Sequence, residues 1–79
     1  MKIIVYTIPT CDYCKKLKTW LKRKRLAFEE RDTFEEDKFR DELLEKSSQL
    51  GLPVTDIDGQ IILGFNEEEL LEAINKAKN

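Results

Sequence analysis

The stretch IIVYTIPTCDYC, residues 3–14, contains an apolar run, a proline and two cysteines three positions apart. Residues 3–6 are β-branched or aromatic, which is typical of a central strand buried on both faces. Pro9 then ends the strand, because proline has no N–H to donate to a ladder. Apolar side chains recur at helical spacing over residues 12–25, so the stretch predicts a strand that leads into a helix at the cysteines.

The next part of the chain predicts a second strand and a second helix. Residues 28–32 are few and mostly charged, which is typical of an exposed edge strand. Residues 35–49 predict a helix with Phe39, Leu43 and Leu44 on its apolar face, and Gly51 ends it. Because a strand–helix–strand crossover joins parallel strands, we expect the first two strands to pair in parallel.

The last third of the chain predicts a hairpin and a third helix. Residues 54–57 and 61–63 flank the sequence DGQ at 58–60, and Asp-Gly indicates a tight turn because glycine accepts a positive φ. Asn66 followed by Glu69 resembles the capping box at the start of a helix. The apolar face of that helix consists of Leu70, Ala73, Ile74 and Ala77.

The element order β-α-β-α-β-β-α predicts an α/β fold with a four-stranded mixed sheet packed between helices. At 79 residues the chain has room for one domain, which we expect to occupy residues 1–79. Its 41% hydrophobic content excludes a disordered chain. The longest apolar run is far below the ~20 residues that cross a membrane, and no secretory signal is recognisable. We therefore expect a soluble cytoplasmic protein without membrane contact.

The charge balance limits the classes of partner and catalyst. A net charge of −2 gives no reason to expect nucleic-acid binding. The absence of histidine excludes imidazole catalysis and imidazole metal sites. Residues 15–25 are rich in lysine and arginine, which we interpret chiefly as a solvated helix face. Docking of an acidic partner is the alternative interpretation of this basic face.

Cys11 and Cys14 form a Cys-Xaa-Xaa-Cys motif at the start of the first predicted helix. Residues three apart on a helix share a face, which brings the two sulfurs within reach of each other. The free N–H groups and the positive dipole end of the helix stabilise a thiolate there. We predict dithiol redox chemistry, with Cys11 as the exposed nucleophile and Cys14 as the shielded resolving thiol.

Charged and aromatic neighbours are expected to modify this dithiol. Lys15 and Lys16 add positive charge and favour the Cys11 thiolate, whereas the carboxylate of Asp12 disfavours it. Tyr13 lies between the cysteines, where we expect it to line the lip of the substrate-binding surface.

Two alternatives to dithiol redox chemistry stay open at this point. Zinc requires four ligands, and the chain has no second cysteine pair and no histidine, so we predict no metal site in a monomer. A dimer could instead supply four thiolates to a metal ion or an iron–sulfur cluster. The second alternative is a chemically idle pair of cysteines.

Three segments together resemble the glutaredoxin family: YTIPTCDYCKK at residues 6–16, LPV at 52–54 and GF at 64–65. The resemblance extends over nearly the whole chain and implies a thioredoxin-like fold. It also implies that Cys11 attacks disulfides and that Cys14 resolves the mixed disulfide. The implied activity is that of a thiol-disulfide oxidoreductase.

The resemblance further implies a substrate-binding surface around the bond between Leu52 and Pro53. In this family the bond is cis, which would place the Leu52 backbone beside the thiols. An extended substrate backbone could then pair with it. Gly64 and Phe65 form the neighbouring turn of the same surface.

The chain departs from the glutaredoxins that use glutathione. Ile8 stands where those proteins usually carry lysine or arginine, Gly51-Leu52 replaces Thr-Val, and Phe65 replaces a second glycine. These departures disfavour glutathione as the reductant, and we expect no tightly bound cofactor. The Gly-Phe turn is similar to that of redoxins that supply electrons to ribonucleotide reductase. We therefore expect a monomer with a disulfide-containing protein substrate, ribonucleotide reductase being one candidate, and a thioredoxin-reductase-like flavoprotein as reductant.

Overall fold

The computed structural model describes residues 1–49 and 51–78. In chain order its elements are β1 (Ile3–Thr7), α1 (Asp12–Arg23), β2 (Glu29–Asp32), α2 (Asp37–Ser47), β3 (Val54–Ile57), β4 (Gln60–Leu63) and α3 (Glu67–Lys78). The predicted order β-α-β-α-β-β-α is confirmed. No helix of this described part has the length and the apolar character that crossing a membrane requires.

The four strands form one mixed sheet in the order β2-β1-β3-β4. β1 pairs in parallel with β2 and antiparallel with β3, and β3 pairs antiparallel with β4. β1 is therefore central, and all five of its residues are buried as its apolar sequence predicts. β2 lies at an edge and contains no fully buried residue, which agrees with its charged sequence.

Alternate residues of β1 belong to two different cores. Ile3 and Val5 pack with side chains of α1 and α3, whereas Ile4 and Tyr6 pack with Leu43 of α2. Because successive side chains of a strand point to opposite faces, the sheet lies between a layer of α1 and α3 and a layer of α2. The carboxyl end of β1, the start of α1 and the start of β3 thereby meet at one edge of the sheet.

Polar contacts hold α2 against its face of the sheet. The Tyr6 hydroxyl donates to the Glu42 carboxylate at 3.0 Å, and Arg31 of β2 pairs with the same carboxylate. Lys46 Nζ donates to Asp56 of β3 at 2.7 Å. Burial alone would raise the pKa of Glu42, but the Tyr6 and Arg31 donors outweigh it and hold that pKa below its usual range. Glu42 therefore stays ionised at neutral pH and anchors α2.

The first helix is two residues shorter than predicted and ends at Arg23. Arg25 takes a left-handed conformation with φ of 58°. Its N–H donates to Lys22 O at 3.0 Å, and the Leu26 N–H donates to Leu21 O at 3.1 Å. This pair of bonds is a Schellman motif, which usually has glycine at the left-handed position. Because arginine occupies the left-handed position, the sequence does not indicate that the helix ends here.

The second helix is also shorter than predicted, over Asp37–Ser47 rather than residues 35–49. Ser48 has a left-handed φ of 60° and closes the helix, again without glycine. Leu43 is buried and Phe39 is half-buried, as the predicted apolar face requires. Leu44 was expected on that face but is exposed, because α2 contacts the sheet along a narrow stripe.

The turn signals of the last third are confirmed. Asp58 and Gly59 both have positive φ, of 48° and 91°, which is the type I′ geometry that matches the twist of a two-residue hairpin. Lys2 N–H donates to Asp58 Oδ1 at 2.7 Å, which ties the turn to the start of the chain. Asn66 Oδ1 accepts from the Glu69 N–H at 3.1 Å and caps α3.

Thr55, in the middle of β3, is a buried residue whose hydroxyl has no hydrogen-bond partner within the described residues. A buried hydroxyl without a partner costs free energy, because it has lost its bonds to water. We expect Thr55→Val to raise the free energy of unfolding by about 1 kcal/mol. Urea denaturation followed by the fluorescence of Trp20 measures this difference.

Thr33→Val is the matched control for this prediction. The Thr33 hydroxyl is also buried, but it donates to Thr7 O at 3.0 Å. Removing it leaves an acceptor with one bond fewer, so the free energy of unfolding should fall by about 1 kcal/mol. A Thr55→Val protein that is less stable than the unmodified chain would contradict the prediction.

Candidate active site

The two cysteines lie at the first turn of α1, at the edge of the sheet where β1 ends. Cys11 is the N-cap residue, with extended backbone angles, and Cys14 lies within the first helical turn. The two form a disulfide, with their Cα atoms 5.2 Å apart. Pro9 separates the strand from the helix, so the sequence itself places the motif at this junction.

The two sulfurs differ in exposure. Cys11 is partly exposed, whereas Cys14 has 1% of its surface exposed and faces the core with Leu17 and Leu21. The Cys14 N–H donates to Cys11 Sγ at 3.0 Å. That N–H is one of the donors that a helix leaves free at its N-terminus, and it stabilises negative charge on the outer sulfur. Because Cys11 is the exposed sulfur of the pair, a substrate disulfide can reach Cys11 but not Cys14.

The peptide bond between Leu52 and Pro53 is cis, as the resemblance implies. Pro53 is buried and directly precedes β3, whose first residue, Val54, pairs with Tyr6 of β1. The proline thus lies at the same edge of the sheet as the dithiol. Pro53 O accepts from the Gly64 N–H at 2.8 Å, which joins the following turn to it. The structure therefore brings together the segments that the resemblance assigned to substrate binding.

A hollow of about 430 Å³ lies on the α2 side of this edge. Ile8 and Leu52 line it, together with Phe34, Asp37 and Arg40. Phe34 is 79% exposed, although it is aromatic. No local sequence signal indicates that Phe34, Asp37 and Arg40 lie here, because their approach to the hollow depends on how α2 docks on the sheet.

The turn after β4 contacts the other side of α1. Gly64 has a positive φ of 74°, a conformation that glycine adopts without strain, and Phe65 follows it half-buried. The Phe65 ring meets the Trp20 ring edge-on, with centroids 6.3 Å apart. Phe65 therefore forms a wall beside α1 rather than an open approach to the cysteines.

The residues expected to modify the dithiol are all on the surface of the first turn. Asp12, Lys15 and Lys16 are exposed. Tyr13 is 59% exposed, and Lys16 Nζ lies 5.0 Å from the centre of its ring. Water surrounds these charges, so their influence on the Cys11 thiol is moderate.

Asp12→Asn should increase the fraction of Cys11 present as thiolate in the reduced protein. Removing the neighbouring carboxylate lowers the pKa of the Cys11 thiol, because the thiolate then no longer lies beside a like charge. Thiolate absorbance in the ultraviolet, followed against pH, measures the change. The control is Asp41→Asn, an exposed carboxylate on α2. An unchanged or raised pKa would mean that Asp12 serves only the helix dipole.

A set of hydrogen bonds at the end of β1 joins β1, β2 and α1 and keeps a carboxylate ionised. Thr7 Oγ1 donates to Glu30 at 2.8 Å, and Lys18 Nζ donates to the same oxygen at 2.8 Å. The Lys18 hydrogen bond holds the pKa of Glu30 below its usual range.

Within residues 1–49 and 51–78, no three cysteine, aspartate or glutamate side chains cluster as a metal site would require.

Comparison with known proteins assigns a family. A family model described as glutaredoxin matches residues 3–62. The chain is 43% identical over 74 residues to an uncharacterized glutaredoxin-like 8.6 kDa protein in the rubredoxin operon of Clostridium pasteurianum. That match covers 94% of this chain and 99% of the relative.

Solved structures confirm the predicted thioredoxin-like fold. The thioredoxin-like protein BC3987 is 36% identical, with a TM-score of 0.85, and the match covers 91% of this chain and 99% of that one. The glutaredoxin-like NrdH-redoxin of Escherichia coli is 22% identical, with a TM-score of 0.79 over 91% of this chain and 93% of its own. The second likeness concerns the fold alone.

Proposed function

The chain belongs to the glutaredoxin family of thiol-disulfide oxidoreductases, and from this membership we propose that Cys11 attacks the disulfide of a protein substrate and that Cys14 completes its reduction. The observation that carries the proposal is the unequal exposure of the two sulfurs at the start of α1. The attacking atom must reach the substrate, whereas the resolving atom has only to reach Cys11.

The reaction consists of two thiol–disulfide exchanges. In the first, the Cys11 thiolate forms a bond to one substrate sulfur, and the other substrate sulfur leaves as a thiolate that takes up a proton. In the second, Cys14 loses its proton and attacks Cys11 Sγ, which releases the remaining substrate sulfur. Two electrons pass to the substrate, and the protein is left with the Cys11–Cys14 disulfide.

Substrate binding is proposed to use the backbone beside Pro53. Leu52 is half-buried and directly precedes the cis bond, so its backbone lies at the edge of the sheet that carries the dithiol. An extended substrate segment can add its own backbone hydrogen bonds there, which recognises a peptide irrespective of its side chains. Tyr13, Gly64 and Phe65 would flank the bound segment.

The proposed reductant is a flavoprotein of the thioredoxin reductase kind, and ribonucleotide reductase is one candidate substrate. Support comes from the Gly64-Phe65 turn, which is similar to that of redoxins that supply electrons to ribonucleotide reductase. The reductant must return two electrons and two protons to the Cys11–Cys14 disulfide in each cycle.

A single-turnover experiment tests the proposed function. The reduced protein is mixed with an equal amount of a disulfide-bonded protein, and both are then alkylated and weighed by mass spectrometry. We expect one substrate disulfide to be reduced for each Cys11–Cys14 disulfide formed. Substrate that stays oxidised, with both cysteines of the redoxin alkylated, would contradict the proposal.

The dimeric cluster-binding alternative stays a prediction. It requires four thiolates around one metal ion or cluster, two from each chain. Cluster or metal binding is tested directly by the metal content and the visible absorbance of protein that is purified without oxygen.

A further inference from the structure

A groove of about 380 Å³ runs along the exposed face of α1, starting one turn beyond the N-cap cysteine. Residues of α1 form one side of the groove, and the turn that follows β4 and the start of α3 form the other side. The residues that line it include Lys15, Lys16, Thr19, Trp20, Arg23 and, on the opposite wall, Phe65. This groove is separate from the hollow that contains Ile8 and Leu52.

The groove carries cations without carboxylate partners. Lys15, Lys16 and Arg23 form no ion pair with any residue in the described part of the chain. By contrast, Lys18 of the same helix is paired with Glu30 at 2.8 Å. The three groove cations thus keep their charge available for a ligand, in a protein whose net charge is −2.

Aromatic side chains lie between these charges. Trp20 and Phe65 are both half-buried and meet edge-on, so they offer a fixed apolar surface at the middle of the groove. Glu67 closes the far wall and repels part of a negatively charged ligand, which leaves three cations against one carboxylate. A ligand that fits therefore combines negative charge at both ends with an apolar group at its centre.

The length of the groove fits a short extended peptide. From residue 15 to residue 23 the helix rises by about 12 Å, which an extended chain spans with about four residues. The groove starts one helical turn beyond Cys11, so a substrate whose reactive sulfur is at Cys11 can continue into it. We infer that this groove docks an acidic segment, with a central apolar residue, that flanks the reactive disulfide of the protein substrate. The inference rests on the proposed oxidoreductase function and adds a substrate preference to it.

Trp20 is the single tryptophan of the chain, so its fluorescence reports directly on the groove. The oxidised protein is titrated with a cysteine-free peptide that has a phenylalanine between acidic residues, and with its Asn/Gln counterpart. We expect the acidic peptide to change the Trp20 emission at a concentration about tenfold below that of the neutral one, and less so in high salt. Tighter binding of a single-stranded oligonucleotide than of the acidic peptide would overturn the inference.

Two neighbouring charge reversals separate docking from general electrostatic attraction. Arg23 lines the groove, whereas Lys22 next to it on α1 does not, and both are exposed. Arg23→Glu should weaken binding of the acidic peptide by about fivefold. Lys22→Glu changes the net charge equally and should weaken it by less than about twofold. Equal losses in the two variants would overturn the inference.

Kinetics distinguish failure of this inference from failure of the proposed function. Two peptide disulfides with the same reactive cysteines, one with the acidic flank and one with the Asn/Gln flank, are given to the reduced protein. We expect kcat/KM to be about tenfold higher for the acidic flank, and Arg23→Glu to remove most of that difference. Equal values for the two flanks would overturn the docking role and leave the oxidoreductase role intact. Reduction of neither peptide would overturn the oxidoreductase role itself.

Discussion

Cys11→Ser should lower the rate of disulfide reduction to the uncatalysed background, whereas Cys14→Ser should stop the reaction after the first thiol–disulfide exchange. The first variant lacks the exposed nucleophile, and the buried Cys14, with 1% of its surface exposed, cannot substitute for it. The second variant still forms a bond from Cys11 to the substrate but has no thiol to break that bond. We therefore expect a stable mixed disulfide with a protein substrate, visible as a band that disappears on reduction.

Each variant is the matched control for the other, because each removes one sulfur from the same turn of α1. Both should fold, since a bridge across two intervening residues restricts the unfolded chain very little. Circular dichroism verifies this before the assay. An adduct with Cys11→Ser and none with Cys14→Ser would reverse the assigned roles and contradict the exposure argument.

Much of this site follows from local sequence. The position of the dithiol depends on a strand, a proline and a helix start within residues 3–14, and each of these has a local physical cause. The hairpin at Asp58 and Gly59 and the cap at Asn66 are equally local. These predictions are confirmed because the residues that decide them are neighbours in the chain.

The predictions that the structure corrects concern two helix ends and the packing of α2. Both helix ends that were placed too late are closed by a left-handed arginine or serine, at Arg25 and Ser48, where sequence patterns lead one to look for glycine. The exposure of Leu44 and the approach of Arg40 to the hollow are set by the docking of α2. The cis bond before Pro53 is confirmed, but the frequency of such bonds does not predict it, because most bonds before proline are trans. The expectation depends on the family resemblance and on the position of Pro53 just before a strand beside the dithiol.

Glutathione should be a poor reductant of the Cys11–Cys14 disulfide, and a flavoprotein of the thioredoxin reductase kind should be a better one. Glutathione carries two carboxylates, and a site for it offers positive charge and free N–H groups. Ile8 is apolar where the glutathione-using relatives place a cation. Each missing charge-assisted contact costs about 1.5–3 kcal/mol, so loss of two weakens binding by at least about a hundredfold.

The structure adds one feature in favour of glutathione and two against it. Arg40 lines the same hollow as Ile8, where its guanidinium could donate hydrogen bonds to a carboxylate of glutathione. Asp37 lines that hollow as well, however, and offsets the positive charge of Arg40. On the other side, Phe65 packs on Trp20 where a glycine would leave room for a ligand backbone. The balance therefore stays against tight binding of glutathione.

Ile8→Lys is the variant that tests this balance most directly. It restores the missing cation in the hollow next to Leu52, so turnover with glutathione and glutathione reductase should rise by about tenfold or more. Turnover with a thioredoxin reductase should change little, because the Cys11–Cys14 pair is unaltered. The matched control is Thr10→Lys, which adds the same charge at an exposed position of the loop between β1 and α1. Efficient turnover of the unmodified chain with glutathione, alongside none with thioredoxin reductase, would contradict the prediction, since the missing contacts would then be ones that this site does not need.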